Sequence, residues 1–340
     1  MKRLIMASGA ILYFLANAGY AKAEDLVLYC GVNEPWCRAV SAAFEKETGI
    51  KVQMTRKSAG ETYAQVKAEA DNPKGDIWFG GTGDPHLQAA DEGLTLEYKS
   101  EKLSELYPWA QEQAKRANYK SVGIYTGVLG FSYNTDLLAK KKLSAPKCWA
   151  DLLKPEYKDE VQVADPNSSG TAYTLLATIL QLMGEDKGFD YLKNLHKNVN
   201  QYTKSGAAPA KAVGQGETLI GITFEHDAIT PKVAGAPMEV VTPCEGTGYE
   251  VGSMSIIKGA RNLEAAKKFY DWALTPNAQK LAAESNDYQI PSNKSSSISE
   301  HSPKLENVKL IDYDFAKYGS SIERMRLLAK WDAEVKNLPK

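Results

Sequence analysis

Leu219-Ile220-Gly221-Ile222-Thr223-Phe224-Glu225-His226-Asp227-Ala228 joins an apolar run to three consecutive titratable side chains. The run follows Gly214-Gln215-Gly216-Glu217 and reads as a strand buried on both faces, as in a parallel sheet. Ligands of open α/β sheets sit at the carboxyl ends of the strands, which is where Glu225-His226-Asp227 would fall. The competing reading is a solvated turn capping the next helix. The rest of the chain decides between the two.

Working outward, residues 26–31, 50–54 and 76–84 read as strands, separated by helices that open at Pro35-Trp36 and near Glu61. Thr48-Gly49 is a helix stop. Three βα units in succession imply a parallel, doubly wound sheet. Two later stretches, residues 122–134 and 246–257, are extended and glycine-rich and read as strands crossing between two domains. Between them lie the strands 161–166 and 219–224 and the helix following Ser168-Ser169-Gly170-Thr171. Helices over residues 262–274 and 276–284 would return to the first domain, and an amphipathic tail, 313–336, would dock across the back. The expected architecture is two α/β lobes with a cleft between them: residues 24–126 and 252–340 as lobe 1, residues 127–251 as lobe 2.

Composition narrows the classes. Lys2-Arg3, an apolar stretch over residues 4–15 and Ala21-Lys22-Ala23 read as a secretory signal peptide spanning residues 1–23. Asn17 and Gly19 interrupt that stretch short of the ~20 apolar residues a membrane span needs. The mature protein is expected to be exported and soluble. Without Lys2, Arg3 and Lys22, the 41 basic residues become 38, against 42 acidic ones. That balance leaves no electrostatic footprint for nucleic acid or an anionic membrane. Four cysteines suit an oxidising compartment and allow three pairings. Cys30–Cys37, closing a short loop, and Cys148–Cys244, clamping distant segments, are the expected pairs. A zinc site is the competitor, but the chain has no C-x-x-C pair.

Ala43-Phe44-Glu45-Lys46-Glu47-Thr48-Gly49-Ile50-Lys51-Val52, Asp76-Ile77-Trp78-Phe79-Gly80-Gly81 and Leu274-Thr275-Pro276-Asn277-Ala278-Gln279-Lys280 carry a resemblance. With the signal peptide, they resemble the periplasmic solute-binding proteins of ABC importers, in the ferric-binding-protein-like superfamily. The resemblance covers the mature chain. It implies a two-lobed periplasmic binding protein of the Venus flytrap type (type II), with mostly parallel sheets flanked by helices and ligand in the inter-lobe cleft. It also implies an inner-membrane permease with its ATPase as partner, a periplasmic location, no cofactor and a monomer.

Ferric members place two adjacent tyrosines after the strand that contains Gly221; here that place reads Phe224-Glu225-His226-Asp227. The stretch instead resembles the AfuA-type subgroup that binds hexose phosphates. In that subgroup a loop serine, a His-Asp pair and a later glutamate contact the ligand. The resemblance carries these roles to Ser58, His226, Asp227 and Glu250. Beside it, the residue chemistry suits an anionic, hydroxyl-rich solute. Ser169, Gly170 and Thr171 at a helix start offer N–H groups, hydroxyls and a positive helix end. Gly81 and Thr82 offer the same from the other lobe. Lys57 and Lys204 could add charge-assisted bonds. Carboxylates and imidazole suit sugar hydroxyls.

The bland alternatives are an N-cap at Ser169, a plain turn at residues 80–83 and solvated lysines. His86, His196 and His301 read as surface residues. The leading expectation is a phosphorylated-sugar carrier of the hexose 6-phosphate class. A phosphonate, another phosphate ester and Fe(III) remain alternatives within the fold. The rival of a different class is a hydrolase built from Ser58 or Ser169 with His226 and Asp227. It lacks a G-x-S-x-G elbow, and neighbours at a strand end point to opposite faces. Capture rather than catalysis is expected.

Overall fold

The computed structural model describes residues 25–339, so the segment read as a signal peptide lies outside the described residues. Among the described residues, ten strands form the sheet: β1 (Leu26–Cys30), β2 (Val52–Arg56), β3 (Ile77–Phe79), β4 (Val122–Asn134), β5 (Val161–Ala164), β6 (Val199–Thr203), β7 (Ile220–Phe224), β8 (Met238–Val241), β9 (Tyr249–Ile256) and β10 (Ile290–Pro291). Their order is β2-β1-β3-β9-β4-β7-β5-β6, with β8 and β10 also on β4. β1 pairs in parallel with β2 and β3, and β5 in parallel with β6 and β7. These are the two doubly wound halves expected from the alternation of strands and helices.

β4 is the crossing strand. Its first half pairs with β9 and β10, and its second half with β7 and β8. Each half of the sheet buries its own core. In the first lobe Leu26, Leu28, Phe44, Ile77, Phe79, Met254 and Phe269 pack together. In the second, Phe131, Trp149, Tyr173, Leu176, Phe189, Ile220 and Ile222 do so. The C-terminal segment, grouped with lobe 1 on the sequence, contributes Tyr313, Phe315, Leu327 and Trp331 to this second core, and its helix Ser321–Trp331 also touches the first-lobe helix Gly83–Asp91. Both expected disulfides are present, Cys30–Cys37 and Cys148–Cys244, the second joining segments 96 residues apart.

Two histidines depart from expectation. His86 is fully buried, its ring stacked on Trp78 at 3.8 Å between centroids. Its Nδ1 meets Ser255 Oγ at 2.8 Å and its Nε2 the Gly80 carbonyl at 3.2 Å. The segment after Gly83 is a helix packed inward rather than an exposed turn, and an imidazole there ties β9 to the glycine loop. His196 is also buried, between Tyr202 and the Leu338 carbonyl. His301 is exposed, as read.

Candidate functional site

Where the strands of both halves end, a cavity of about 420 Å³ opens between the lobes. Ser58, Gly81, Thr82, Ser169, Gly170, Thr171, His226, Asp227 and Glu250 all border it. So do Asn33, Arg56, Tyr125, Gly206 and Gln289, which the sequence did not single out.

One group of wall residues comes from helix starts. Ser58 precedes the helix Ala59–Ala68, and Glu61 accepts the Ser58 N–H at 3.3 Å, as a capping-box glutamate does. Thr82 precedes the helix Gly83–Asp91, and Ser169 caps Gly170–Met183, its Oγ accepting from the Ala172 N–H. Ser169 is therefore both the N-cap of the bland reading and a wall of the cavity. Three helix N-termini, each a source of partial positive charge, border one cavity, an arrangement suited to an anion. Gly81 sits at φ 86°, a conformation open to glycine, and turns its N–H toward the Tyr125 hydroxyl at 3.1 Å. Arg56 adds a full charge at the rim: its Nε donates to the Val32 carbonyl and its guanidinium reaches Ser205 Oγ at 3.3 Å.

The two expected lysines are elsewhere. Lys204 is exposed and does not border the cavity; its loop contributes Gly206 and Ala207 through backbone instead. Lys57 turns back onto its own helix, where Nζ donates to Gln65 Oε1. A long side chain beside an edge strand gains more from a local acceptor than from crossing the cleft.

A second group of wall residues is acidic. Glu225, His226 and Asp227 form the first turn of the helix Glu225–Val233, not a strand end. This corrects the expectation that neighbours would diverge. At about 100° per residue, successive helical side chains can share a wall, and His226 Nε2 lies 3.8 Å from Asp227 Oδ2 and 3.7 Å from Glu250 Oε1. Nor is the turn solvated, for all three residues are buried. The ring lies flat on Phe224 and against Gly127, where a Cβ would come within 2.4 Å of Nδ1. Burial lowers the imidazole pKa, so the ring is neutral and can donate from one nitrogen and accept on the other. Burial, then Asp227, Asp287 and Asp84, push the Glu250 carboxyl well above the usual range. Burial likewise lifts Glu225 to about 7; it accepts from Thr242 Oγ1 behind the wall. This group thus offers a neutral imidazole beside the side chains of Asp227 and Glu250, a set that can satisfy several hydroxyls at once.

The lobes touch around the cavity. Asn33 Nδ2 donates to Asp227 Oδ1 at 3.0 Å, and the Gly60 N–H donates to the Ser168 carbonyl at 3.0 Å. A Cβ on Gly170 would lie 1.9 Å from Thr82 Oγ1, so the opposing walls interlock. This is a closed arrangement. No helix among the described residues is long and apolar enough to cross a membrane.

The fold and the family are shared with known proteins. A family model of bacterial extracellular solute-binding proteins matches residues 72–318. An uncharacterized protein of Haemophilus influenzae is 48% identical over 325 residues, covering 95% of this chain and 94% of its own. The periplasmic binding protein AfuA from Actinobacillus pleuropneumoniae, solved with exogenous fructose-6-phosphate bound, is 46% identical, with a TM-score of 0.91 over 93% of this chain and 99% of that one. The periplasmic binding protein P5PA is 42% identical, with a TM-score of 0.89 over 92% and 100%. With a cleft walled by both lobes and a family match over most of its length, the chain belongs to the bacterial extracellular solute-binding proteins, the substrate-capturing components of ABC importers.

Proposed function

We propose that this protein captures a phosphorylated hexose in the periplasm and hands it, in the closed form, to an inner-membrane permease and its ATPase. The observation that carries this reading is that two groups of residues of different chemistry border one cavity. Three helix starts and Arg56 form the first, and His226, Asp227 and Glu250 the second. A phosphate fits the first group and a run of hydroxyls the second. The fructose-6-phosphate bound to AfuA, at 46% identity, supports the same solute class. Residues 1–23 act as the export signal, and the lobes pivot where β4 and β9 cross. Ligand stabilises the closed form by its differential affinity for it.

The test is a thermal-shift and calorimetric screen of the mature protein with glucose 6-phosphate, fructose 6-phosphate, glucose, inorganic phosphate, 2-aminoethylphosphonate and Fe(III)-citrate. Native-state binding raises the melting temperature by mass action. A shift with the sugar phosphates and none with glucose or phosphate alone is the expected result. A shift confined to the phosphonate or to iron would overturn the assignment.

A further inference from the structure

Behind the acidic wall, outside the residues that border the cavity, Asp287 is 1% exposed, and neither of its carboxylate oxygens has a hydrogen-bond partner. It lies on the segment that leads into β10, which pairs with the first-lobe half of β4. Asp227 faces it from the opposite lobe, at the start of the helix Glu225–Val233. Ligand atoms of His226, Asp227 and Asp287 all lie within 4.8 Å of one another.

The surroundings supply no compensating charge. Of the groups that face Asp287, the side-chain amides of Asn33 and Gln289 lie beside it and favour its ionised form, but they carry no charge and are outweighed by burial and Asp227. Tyr125 and Glu250 approach from β4 and β9, and Glu250 is acidic. His226 is buried and neutral. Lys211 faces the carboxyl from the helix Ala208–Gln215, but it is exposed and its charge is solvated. Two carboxylates from opposite lobes, with a third beside them, cannot all be buried ionised, since like charges at this range repel strongly in a poorly solvated site.

We propose that Asp287 is a positioning residue that makes lobe closure proton-dependent: Asp227 and Asp287 come together across the cleft only with a proton held on Asp287. In the open form Asp287 faces water and ionises as an ordinary aspartate. On closure it takes up one proton, and the neutral carboxyl no longer repels Asp227. Burial and Asp227 raise the Asp287 pKa to about 8 in the closed arrangement, in the direction this coupling needs. Between the ordinary carboxylate range and about 8, closure gains a proton, so affinity falls as pH rises through that window and levels off above it.

The proposal rests on the sugar-phosphate reading for its ligand, so the experiment has two arms. In the first, glucose 6-phosphate is titrated calorimetrically into wild type and Asp287→Asn at pH 6.5, 7.5 and 8.5, in buffers of differing ionisation heat. The ligand's phosphate titrates near pH 6 in both proteins and cancels from their ratio. Wild-type affinity should fall relative to Asp287→Asn by about tenfold or more from pH 6.5 to 8.5. The variant, already neutral, should bind more tightly than wild type at pH 8.5 and take up less proton. A constant ratio overturns the proposal, as does wild-type binding at pH 8.5 that EDTA abolishes, since a cation would then replace the proton. In the second arm the same titrations use whichever other solute of the thermal-shift screen raises the wild-type melting temperature most. If neither protein binds glucose 6-phosphate, the sugar-phosphate reading fails and this arm alone decides. A wild-type affinity that falls relative to Asp287→Asn as pH rises then supports the protonated carboxyl, and a constant ratio overturns it.

Discussion

Asn33, in the first lobe, donates its side-chain amide to Asp227 of the second across 3.0 Å. With the Gly60–Ser168 backbone bond and the Arg56–Ser205 contact, it joins the two lobes at the rim of the cavity. Its acceptor is itself a cavity wall, so the bond couples closure to the ligand-facing carboxylate. Asn33→Ala should therefore act on closure rather than on folding. A hydrogen bond to a charged group contributes about 1.5–3 kcal/mol, so glucose 6-phosphate affinity should drop roughly 10- to 100-fold by calorimetry while the ligand-free melting temperature barely moves. Equal affinity in the variant would remove this bond from the closing mechanism.

Gly170 tests the interlock directly. It opens the helix Gly170–Met183 at an ordinary negative φ, so alanine suits the helix, but the added Cβ would meet Thr82 Oγ1 at 1.9 Å. Gly170→Ala should leave the ligand-free protein as stable as wild type and hold the lobes apart, with ligand affinity at least tenfold weaker. Thr82→Gly in the same chain removes the opposing atoms and should restore part of it. Were the double variant no better than Gly170→Ala alone, the clash would not be the cause.

Arg56 should separate phosphate recognition from sugar recognition. Its guanidinium borders the cavity and reaches Ser205 Oγ, whereas His226 and Glu250 lie against each other at 3.7 Å. Arg56→Ala should weaken phosphate esters by roughly 10- to 100-fold, the range of charge-assisted hydrogen bonds. Arg56→Lys should fall between, keeping the charge but not the planar fork. Ser205→Ala removes only the inter-lobe contact and should have a smaller effect. A Ser205→Ala loss as large as that of Arg56→Ala would mean that the arginine serves closure alone.

The sequence was most legible where a local rule is also the global one. β1 to β3 alternate with helices, and parallel pairing follows from that alternation. Both glycine-rich stretches proved to be the long neighbours β4 and β9, because close approach of backbone, imidazole and ring requires bare Cα positions. The site was legible where glycines and hydroxyls precede helices. It was not legible at Arg56, a single cation in the alternating strand β2, where the pattern is that of any solvated edge residue. Asn33, Gln289 and Asp287 lie in segments with no motif and reach the cleft only through tertiary packing. Lys204 failed for the opposite reason: a suitable charge stood in the right loop, but the loop presents its backbone to the cavity and its side chain to water.

His86 carries the last prediction, on acid stability. The ring is fully buried against Trp78, and burial holds its pKa down to about 3, against an ordinary value near 6.5. Between those values the unfolded chain binds a proton that the native protein refuses. The native state therefore gains stability as pH rises from about 3 to 6.5 and loses it on acidification, by up to about 1.4 kcal/mol per pH unit. Buried Asp84, raised to about 6, and Glu225, raised to about 7, oppose this trend, but they do so in any His86 variant as well. His86→Gln can still donate to the Gly80 carbonyl and accept from Ser255, and it does not titrate. It should melt below wild type at pH 7, where the stacking on Trp78 is lost, and the gap should close by pH 4.5. A gap of the same size at both pH values would show that the native protein accommodates the charged ring, and that His86 does not set the acid limit.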